Sequence, residues 1–183
     1  HDLNAVSQIC NTGILLNKGY VEFTGNTRET VSTYLNYDSD EPFYENLNTK
    51  AEDIVIEKIS VINETGNLSK QFLYNEVINF NFKIKIKKQL PNTSLFVVIL
   101  DNHKKPVFSC ESATLEENMN LSIHPMTLVR GSYSITAFIN LPKIRQVYIA
   151  EDVCKFKVLD DSSYLSKHGE FDYGNVFGQY KWK

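Results

Sequence analysis

Strict alternation of apolar and polar residues along residues 77–88 constrains the fold more than any other feature of the sequence. The apolar positions are Ile78, Phe80, Phe82, Ile84 and Ile86, and the polar positions between them are Asn79, Asn81, Lys83, Lys85 and Lys87. Successive side chains of a β-strand point to opposite faces, so this segment predicts a strand with one dry and one solvated face. A second layer must cover the dry face.

The same two-residue period recurs along the chain after residue 52, and no helical period interrupts it. We predict strands near residues 53–63, 77–88, 94–101, 106–112, 121–129, 133–140 and 147–158. Segments that contain Gly, Asn, Asp or Pro separate these runs, which is typical of turns between antiparallel strands. The pattern predicts a mainly β fold, an antiparallel β-sandwich of seven or eight strands.

The first 37 residues combine helix and strand patterns. Helical spacing predicts a short helix over residues 2–11, glycine-bounded strand patterns predict a hairpin over residues 13–25, and a capped apolar stripe predicts a helix over residues 26–35. An acidic, polar stretch without a sustained period follows. The predicted organisation is a short α/β appendage (1–37), a linker (38–52) and a β-sandwich domain (53–183).

The charge balance argues against two classes of partner. The chain has 183 residues with a formal net charge of -3 and a pI near 5.8. Proteins that bind phosphate backbones carry an excess of basic residues, so no nucleic-acid partner is expected. The longest apolar run, residues 95–100, has the length of a strand and falls short of the roughly 20 residues that a membrane-spanning helix needs.

The residue types that carry catalysis or bind metals do not cluster in the sequence. The three cysteines are widely spaced, which favours a reducing compartment, and we expect Cys110 and Cys154 to fill the core. His103, His124 and His168 lie far apart without metal-ligand spacing, so no metal site is expected. No Gly-x-Ser-x-Gly motif is present, which leaves no sign of a serine nucleophile.

The opening of the chain resembles the closing part of ABC ATPase domains. The likeness rests on residues 1–25, which read His-Asp-Leu-Asn-Ala-Val, then Cys-Asn, Ile-Leu-Leu-Asn-Lys-Gly and a final glycine. It implies that His1 matches the switch histidine, which contacts the γ-phosphate of ATP in an intact domain. The P-loop, the signature motif and the Walker B carboxylates do not occur in this sequence. We therefore expect no catalytic residue and no cofactor in the fragment, whereas ATP and Mg²⁺ are implied for the full-length protein.

The β portion resembles the C-terminal domain of Wzt-type ATPases, which serve ABC exporters of O-antigen and related cell-surface polysaccharides. The residues that carry the likeness are Phe-Leu-Tyr-Asn-Glu-Val-Ile-Asn-Phe at 72–80, Leu-Val-Arg-Gly-Ser-Tyr-Ser-Ile at 128–135, and Gly-Asn-Val with a late Trp within 174–182. The resemblance implies an immunoglobulin-like sandwich. It also implies a cytoplasmic homodimer, in some members with exchanged C-terminal strands, that meets the membrane through the permease subunit and recognises a lipid-linked glycan near its non-reducing end.

Sugar recognition requires planar hydrogen-bonding groups for adjacent hydroxyls and often an aromatic face for the C–H side of the ring. Phe138 is apolar on the face of its predicted strand that lies opposite the core. We expect the carbohydrate-binding residues to lie on neighbouring strands of one sheet; they are Asn79, Asn81, Ser134, Thr136, Phe138, Asn140 and Tyr148. The alternative for each is an ordinary solvated sheet face.

Two further groups of residues allow more than one interpretation. Lysines 83, 85, 87 and 88 form a basic stripe that either meets an acidic glycan or keeps a sheet edge soluble. Tyr173, Tyr180 and Trp182 lie in an aromatic segment, residues 171–182, whose pattern predicts a final strand. These rings either stack on sugar or pack at a dimer seam.

The leading functional hypothesis is a carbohydrate-binding module that couples glycan recognition to an ABC exporter. The alternative is a structural or regulatory dimerisation domain of the ATPase that makes no glycan contact. A third hypothesis, an extracellular immunoglobulin-like adhesin, requires secretion, for which the opening segment has no signal-peptide pattern.

Overall fold

A computed structural model describes residues 9–17, 20–27, 30, 41–46, 53–141, 145–168 and 171–182. The chain divides into two compact units, His1–Asp40 and Glu41–Lys183. His1 and most of the two helices predicted over residues 2–11 and 26–35 lie outside the described residues. No helix within the described ranges is long and apolar enough to cross a membrane.

The first unit contains the predicted hairpin. Strand β1 (Thr12–Asn17) pairs antiparallel with β2 (Tyr20–Asn26), and the register shifts between Leu15 and Leu16. Leu15 is buried, whereas Leu16 on the opposite side of the strand is exposed. Gly13 is required by a close approach, because a Cβ atom there would lie 2.6 Å from the Thr30 side chain.

The second unit is a β-sandwich of two sheets, which confirms the predicted fold class. Its strands are β3 (Phe43–Glu45), β4 (Ile54–Ile62), β5 (Gln71–Leu73), β6 (Ile78–Ile86), β7 (Ser94–Leu100), β8 (Pro106–Glu111), β9 (Asn118–Ile123), β10 (Gly131–Leu141) and β11 (Arg145–Leu159). The four-stranded sheet has the order β3-β4-β6-β9, and the five-stranded sheet has the order β5-β11-β10-β7-β8. All pairs in the two sheets are antiparallel except β5 with β11.

The core lies between the two sheets and is built by the alternation seen in the sequence. In β6 the side chains of Ile78, Phe80, Phe82 and Ile84 are at most 3% exposed. From the other sheet, Phe156 contributes a central ring whose centroid lies 5.6 Å from that of Phe80. Burial of large apolar side chains between two layers is the main stabilising contribution to such a domain.

Tyr133 closes the core at the beginning of β10. Its ring is stacked against Phe156 with centroids 5.7 Å apart, and its hydroxyl lies 2.7 Å from the carbonyl oxygen of Val129 and 3.2 Å from that of Asn175. A tyrosine whose hydroxyl bonds back to the preceding backbone is a recurrent feature of immunoglobulin-like sandwiches. A Cβ atom on Gly131 would lie 3.3 Å from this ring, so the glycine makes room for it.

Three local predictions differ from the structure. Phe43–Glu45, within the predicted linker, form the edge strand β3, because their backbone pairs with Ser60 and its neighbours. Strand β9 begins and ends earlier than the predicted run 121–129, since residues 124–127 turn toward β10. In residues 171–182 a single bridge, between Val176 and Leu128, replaces the expected strand.

Candidate functional site

Strand β10 carries an outward row of side chains. Its buried residues Tyr133, Ile135, Ala137 and Ile139 face the core, so the alternate positions face the outside of the five-stranded sheet. Those alternate positions are Ser134, Thr136, Phe138 and Asn140, which the sequence analysis selected. The structure therefore places four of the seven predicted site residues in one row.

Phe138 is the centre of an apolar surface that we name the aromatic patch, formed by Phe96, Phe138 and Ile149. The partner of Phe138 in β7 is Phe96, and its partner in β11 is Ile149. The two phenylalanine rings stack with centroids 4.9 Å apart and an interplanar angle of 20°. Both rings are half-buried and Ile149 is 42% exposed. A partly exposed apolar surface, in which two rings stack on each other, thus lies on the outside of the sheet.

Polar groups lie next to the aromatic patch at the end of β10. Asn140 pairs with Ser94 on one side and with Gln146 on the other. Ser94 Oγ lies 2.5 Å from Glu111 Oε1 and donates to it. Within the described residues, the side-chain amides of Asn140 and Gln146 have no hydrogen-bond partner, so their donors and acceptors are open to a ligand.

At the other end of the row, Ser134 and Thr136 serve the fold. Ser134 Oγ and Lys104 Nζ each lie 2.6 Å from Asp152 Oδ1, and Asp152 N donates to Thr136 Oγ1 over 3.1 Å. These bonds hold a bulge in β11, where Asp152 has a φ of 53°. Ser134 is 1% exposed and is therefore closed to a ligand, contrary to the expectation of a solvated position.

The charge at Asp152 is stabilised by these contacts. Burial raises the pKa of its carboxyl group, but the hydrogen bonds from Lys104 and Ser134 and the positive charges of Lys104 and Lys155 outweigh burial and lower it below its ordinary value of 3.8. The carboxylate thus remains ionised and tied to the sheet at neutral pH.

Asn79 and Asn81 lie on the other sheet, so the prediction that all the site residues share one sheet is wrong. Both belong to β6, whose outward face lies on the opposite side of the sandwich from Phe138. Asn79 Oδ1 accepts a hydrogen bond from Ser122 Oγ over 2.6 Å. Asn81 is exposed and pairs with Ser60 and Asn120. The reason is topological, because sheet membership follows strand order and not sequence pattern.

Only two of the four lysines of the predicted basic stripe lie on a strand, and both form ion pairs with a glutamate. Lys83 and Lys85 lie on β6, and Glu57 forms ion pairs with both, at 3.4 Å and 3.7 Å. Lys87 and Lys88 follow the end of the strand at Ile86. Exposed pairs of this kind contribute little to stability.

Tyr148 points between the sheets and not toward the aromatic patch. It pairs with the buried Ile139, so its ring lies on the inner side of the five-stranded sheet. Its hydroxyl lies 2.6 Å from the Tyr44 hydroxyl and 2.8 Å from Asn46 Nδ2. Tyr148 therefore joins the five-stranded sheet to the edge strand β3.

A polar cleft lies at the opposite end of β10 from Asn140. Its volume is about 220 Å³, and its walls come from the turn at Asn102 and His103, the residues 129–133 and the terminal segment 171–175. None of the predicted site residues lines it, although Tyr173 from the aromatic terminal segment does. No single stretch of the sequence indicates this cleft, because its walls come from three segments that are far apart in the chain.

Phe96 and Ile149 were missed by the sequence analysis. Phe96 lies within the continuous apolar run 95–100, so no alternation distinguishes its outward side chain from its buried neighbours. The register of β7 with β10 places Phe96 beside Phe138, and a sequence alone does not provide that register.

Comparison with known proteins adds a family and a fold. The sequence profile of one protein family, described as the Wzt C-terminal domain, matches residues 48–173. The chain is also similar to the crystal structure of the C-terminal domain of wzt, with a TM-score of 0.55 and 10% sequence identity over 79% of this chain and 89% of that chain. At that identity the structural likeness shows a common fold.

Other likenesses are partial. A Parabacteroides merdae β-glucuronidase aligns with a TM-score of 0.40 and 14% identity over 58% of this chain and 14% of that one. A Bifidobacterium dentium β-glucuronidase aligns with a TM-score of 0.37 and 13% identity over 58% of this chain and 18% of that one. No curated protein sequence matches the chain.

Proposed function

Because the chain belongs to the Wzt C-terminal domain family, a non-catalytic domain of the ATP-binding subunits of ABC exporters, we propose that its β-sandwich binds the polysaccharide that the exporter carries. The observation that carries the proposal is the aromatic patch on the outer face of the five-stranded sheet. Its two stacked rings are partly exposed and lie beside open amide groups.

The chemistry of the patch suits a pyranose ring. The apolar C–H side of a sugar packs against aromatic carbon, and Phe96 and Phe138 leave part of their rings exposed for such a contact. Because the two rings already stack on each other, less entropy is lost in ordering them on binding. The amides of Asn140 and Gln146 each offer a donor and an acceptor, which match adjacent hydroxyl groups. The proposed contact residues are therefore Phe96, Phe138, Asn140 and Gln146, while Ser134, Thr136 and Tyr148 hold the fold.

The cellular setting belongs to the same proposal. The glycan is of the O-antigen type and lipid-linked, and it is met in the cytoplasm before export. ATP and Mg²⁺ act in the ATPase domain, whose closing part includes His1, and the permease subunit brings the protein to the inner membrane. The hairpin β1–β2 supports this assignment, since it lies where the resemblance to the end of an ABC ATPase domain predicts strands.

Calorimetric titration of the whole chain with the purified polysaccharide of its source cell tests the proposal. Phe138→Ala should weaken binding about tenfold, because a stacking contact contributes roughly 1 kcal/mol or more. The matched control is Phe43→Ala. This residue is 37% exposed and lies in the four-stranded sheet, where it pairs with Ser60. Equal affinities of the two variants and the original chain would rule out the patch as the contact surface.

A second candidate function is dimerisation of the ATPase without glycan contact. The observation that favours it is the exposed terminal segment, where Tyr180 is 63% exposed and Trp182 is 89% exposed. Large exposed apolar side chains mark surfaces that bind other proteins. Export that survives Phe138→Ala but is lost when residues 179–183 are deleted would support this function over the first.

A further inference from the structure

The polar cleft is a recessed surface separate from the aromatic patch. It lies near Gly131, seven residues before Phe138 along β10, which corresponds to about 23 Å along an extended strand. A ligand in the cleft therefore contacts other residues than a ligand on the patch, and the two surfaces are separable by experiment.

The walls of the cleft are tied together by hydrogen bonds. Val129 N donates to the carbonyl oxygen of Asn175 over 3.0 Å, and Asn175 Nδ2 donates to Asp101 Oδ2 over 3.3 Å. The Tyr133 hydroxyl bonds to the backbone on both sides of this contact. The terminal segment thus forms a fixed wall against the end of the sheet, and the cleft exists only when that segment is docked.

The cleft contains the side-chain types that bind sugar hydroxyls. Asp172 Oδ1 accepts a hydrogen bond from Gly174 N over 2.8 Å, and within the described residues its Oδ2 has no partner. Asn102 and His103 offer exposed polar side chains on the facing turn. Phe171 is 70% exposed, and its ring centroid lies 5.1 Å from that of Tyr173. Planar polar groups opposite aromatic rings are the arrangement that a sugar ring requires.

The charges on the walls of the cleft do not favour an acidic ligand. Burial, together with the negative charges of Asp101 and Asp172, raises the pKa of the Tyr133 hydroxyl on the floor of the cleft. The guanidinium group of Arg130 lies in the same wall, with its Nη2 3.4 Å from the carbonyl oxygen of Phe171. Among the lining residues Arg130 and Asp172 carry opposite charges, so the walls give an added anion no net attraction.

We propose that this cleft binds a single uncharged, hydroxyl-rich sugar ring and so forms a second glycan subsite. The proposal rests on the proposed function and extends it. Asp172 accepts hydrogen bonds from two adjacent hydroxyls, Asn102 and His103 contact the far edge of the ring, and Tyr173 or Phe171 covers its C–H face. The volume of about 220 Å³ accommodates one ring and not a run of several.

The test is an NMR titration of the full ¹⁵N-labelled chain with separate neutral probes, which are glucose, galactose, mannose, rhamnose and N-acetylglucosamine, and with glucuronate as the charged comparison. We expect at least one neutral probe to give saturable shifts of the Asn102, Gly131 and Gly174 amides. Asp172→Asn should raise its Kd about tenfold, because the variant keeps an oxygen for the Gly174 turn but loses the charged acceptor. Phe43→Ala, a change on the other sheet, should leave the Kd unchanged.

The outcomes separate this subsite from the proposed function. Shifts confined to Phe96, Phe138 and Ile149 would overturn the subsite and leave the proposed function standing. Tighter binding of glucuronate than of any neutral probe would overturn the assigned ligand class. Saturable shifts at Gly131 that Asp172→Asn does not weaken would overturn the assigned role of Asp172. Absence of shifts in the cleft with every probe, in a chain that binds the polysaccharide through the patch, would overturn the subsite outright.

Discussion

At the scale of single residues, Tyr133 joins three parts of the sandwich. Its ring packs on Phe156, and its hydroxyl bonds to the backbone before β10 and to the terminal segment at Asn175. A buried hydroxyl with partners contributes to stability, and its removal takes a donor from the carbonyl group of Val129. The stability of the domain should therefore depend on the hydroxyl of Tyr133, even though replacement by phenylalanine keeps the ring.

We predict that Tyr133→Phe lowers the free energy of unfolding by about 1–2 kcal/mol, because the Val129 carbonyl loses its side-chain donor and the Asn175 carbonyl keeps only the donor Val129 N. Urea denaturation followed by circular dichroism measures the change. The matched control is Tyr173→Phe, whose exposed hydroxyl lies 3.3 Å from the carbonyl oxygen of His168 and should contribute less than about 0.5 kcal/mol. Equal effects of the two replacements would contradict the assigned role.

Asp152 gives a prediction for pH dependence. Its pKa is lowered in the folded chain, so its contribution is fully present above the ordinary value of 3.8 and is lost as the pH falls through the lower folded value. At neutral pH, Asp152→Asn should cost about 1 kcal/mol of unfolding free energy. Urea midpoints of the variant and the original chain should converge below pH 4. The control is Glu151→Gln at an exposed neighbouring position. A difference in urea midpoint between Asp152→Asn and the original chain that persists in acid would refute the electrostatic cause.

At the scale of elements, the short strand β3 has a larger role than its three residues suggest. Val61 N donates to the carbonyl oxygen of Pro42 over 2.6 Å, and Asn46 N donates to that of Glu57 over 2.8 Å. The Tyr44 hydroxyl also shares a hydrogen bond with the Tyr148 hydroxyl of the other sheet, over 2.6 Å. This segment protects the edge of β4 and joins the two layers.

We predict that a chain of residues 48–183 is less stable than a chain of residues 41–183 by about 2–4 kcal/mol. The shorter chain loses the hydrogen bonds of β3 and leaves Tyr148 without its partners Tyr44 and Asn46. Urea denaturation of the two chains measures the difference. Coincident transitions would show that β3 is dispensable and that residues 38–52 act as a simple linker.

The strands differ in how well the sequence predicts them, and the reason is length. The long strands β4, β6, β10 and β11 were predicted because several alternating residues define their period. Strands β3 and β5 have three residues each, which is too short for a period to be recognised. Both form because a neighbouring strand offers its edge.

At the scale of the whole molecule, the exposed aromatic terminal segment predicts association with a second copy of the chain. Val176, Tyr180 and Trp182 are 47%, 63% and 89% exposed. Sedimentation equilibrium should show a homodimer, and the emission of Trp182, the single tryptophan, should shift to shorter wavelength on association as the indole leaves water. The control is a chain that ends at residue 178. A monomer with unshifted emission at every concentration would contradict this prediction.

The sequence predicted only part of the candidate site. Phe138 was identified because an aromatic residue interrupts the polar side of an alternating strand. Asn140 followed from the same alternation, and its place beside the patch agrees with the expectation of one polar face. Asn79, Asn81 and Tyr148 were misplaced, since the pattern states which side of its own strand a residue occupies and not which sheet or layer that strand joins.

The sequence by itself determined the fold class, the long strands and the inward and outward sides of β6 and β10, because side-chain direction follows directly from the two-residue period. The tertiary structure alone decided that β6 and β10 belong to different sheets and that Phe96 stacks on Phe138. It also decided that three distant segments enclose the polar cleft. These features depend on which strands pair and how the two layers pack, and those choices are made by contacts between residues far apart in the chain.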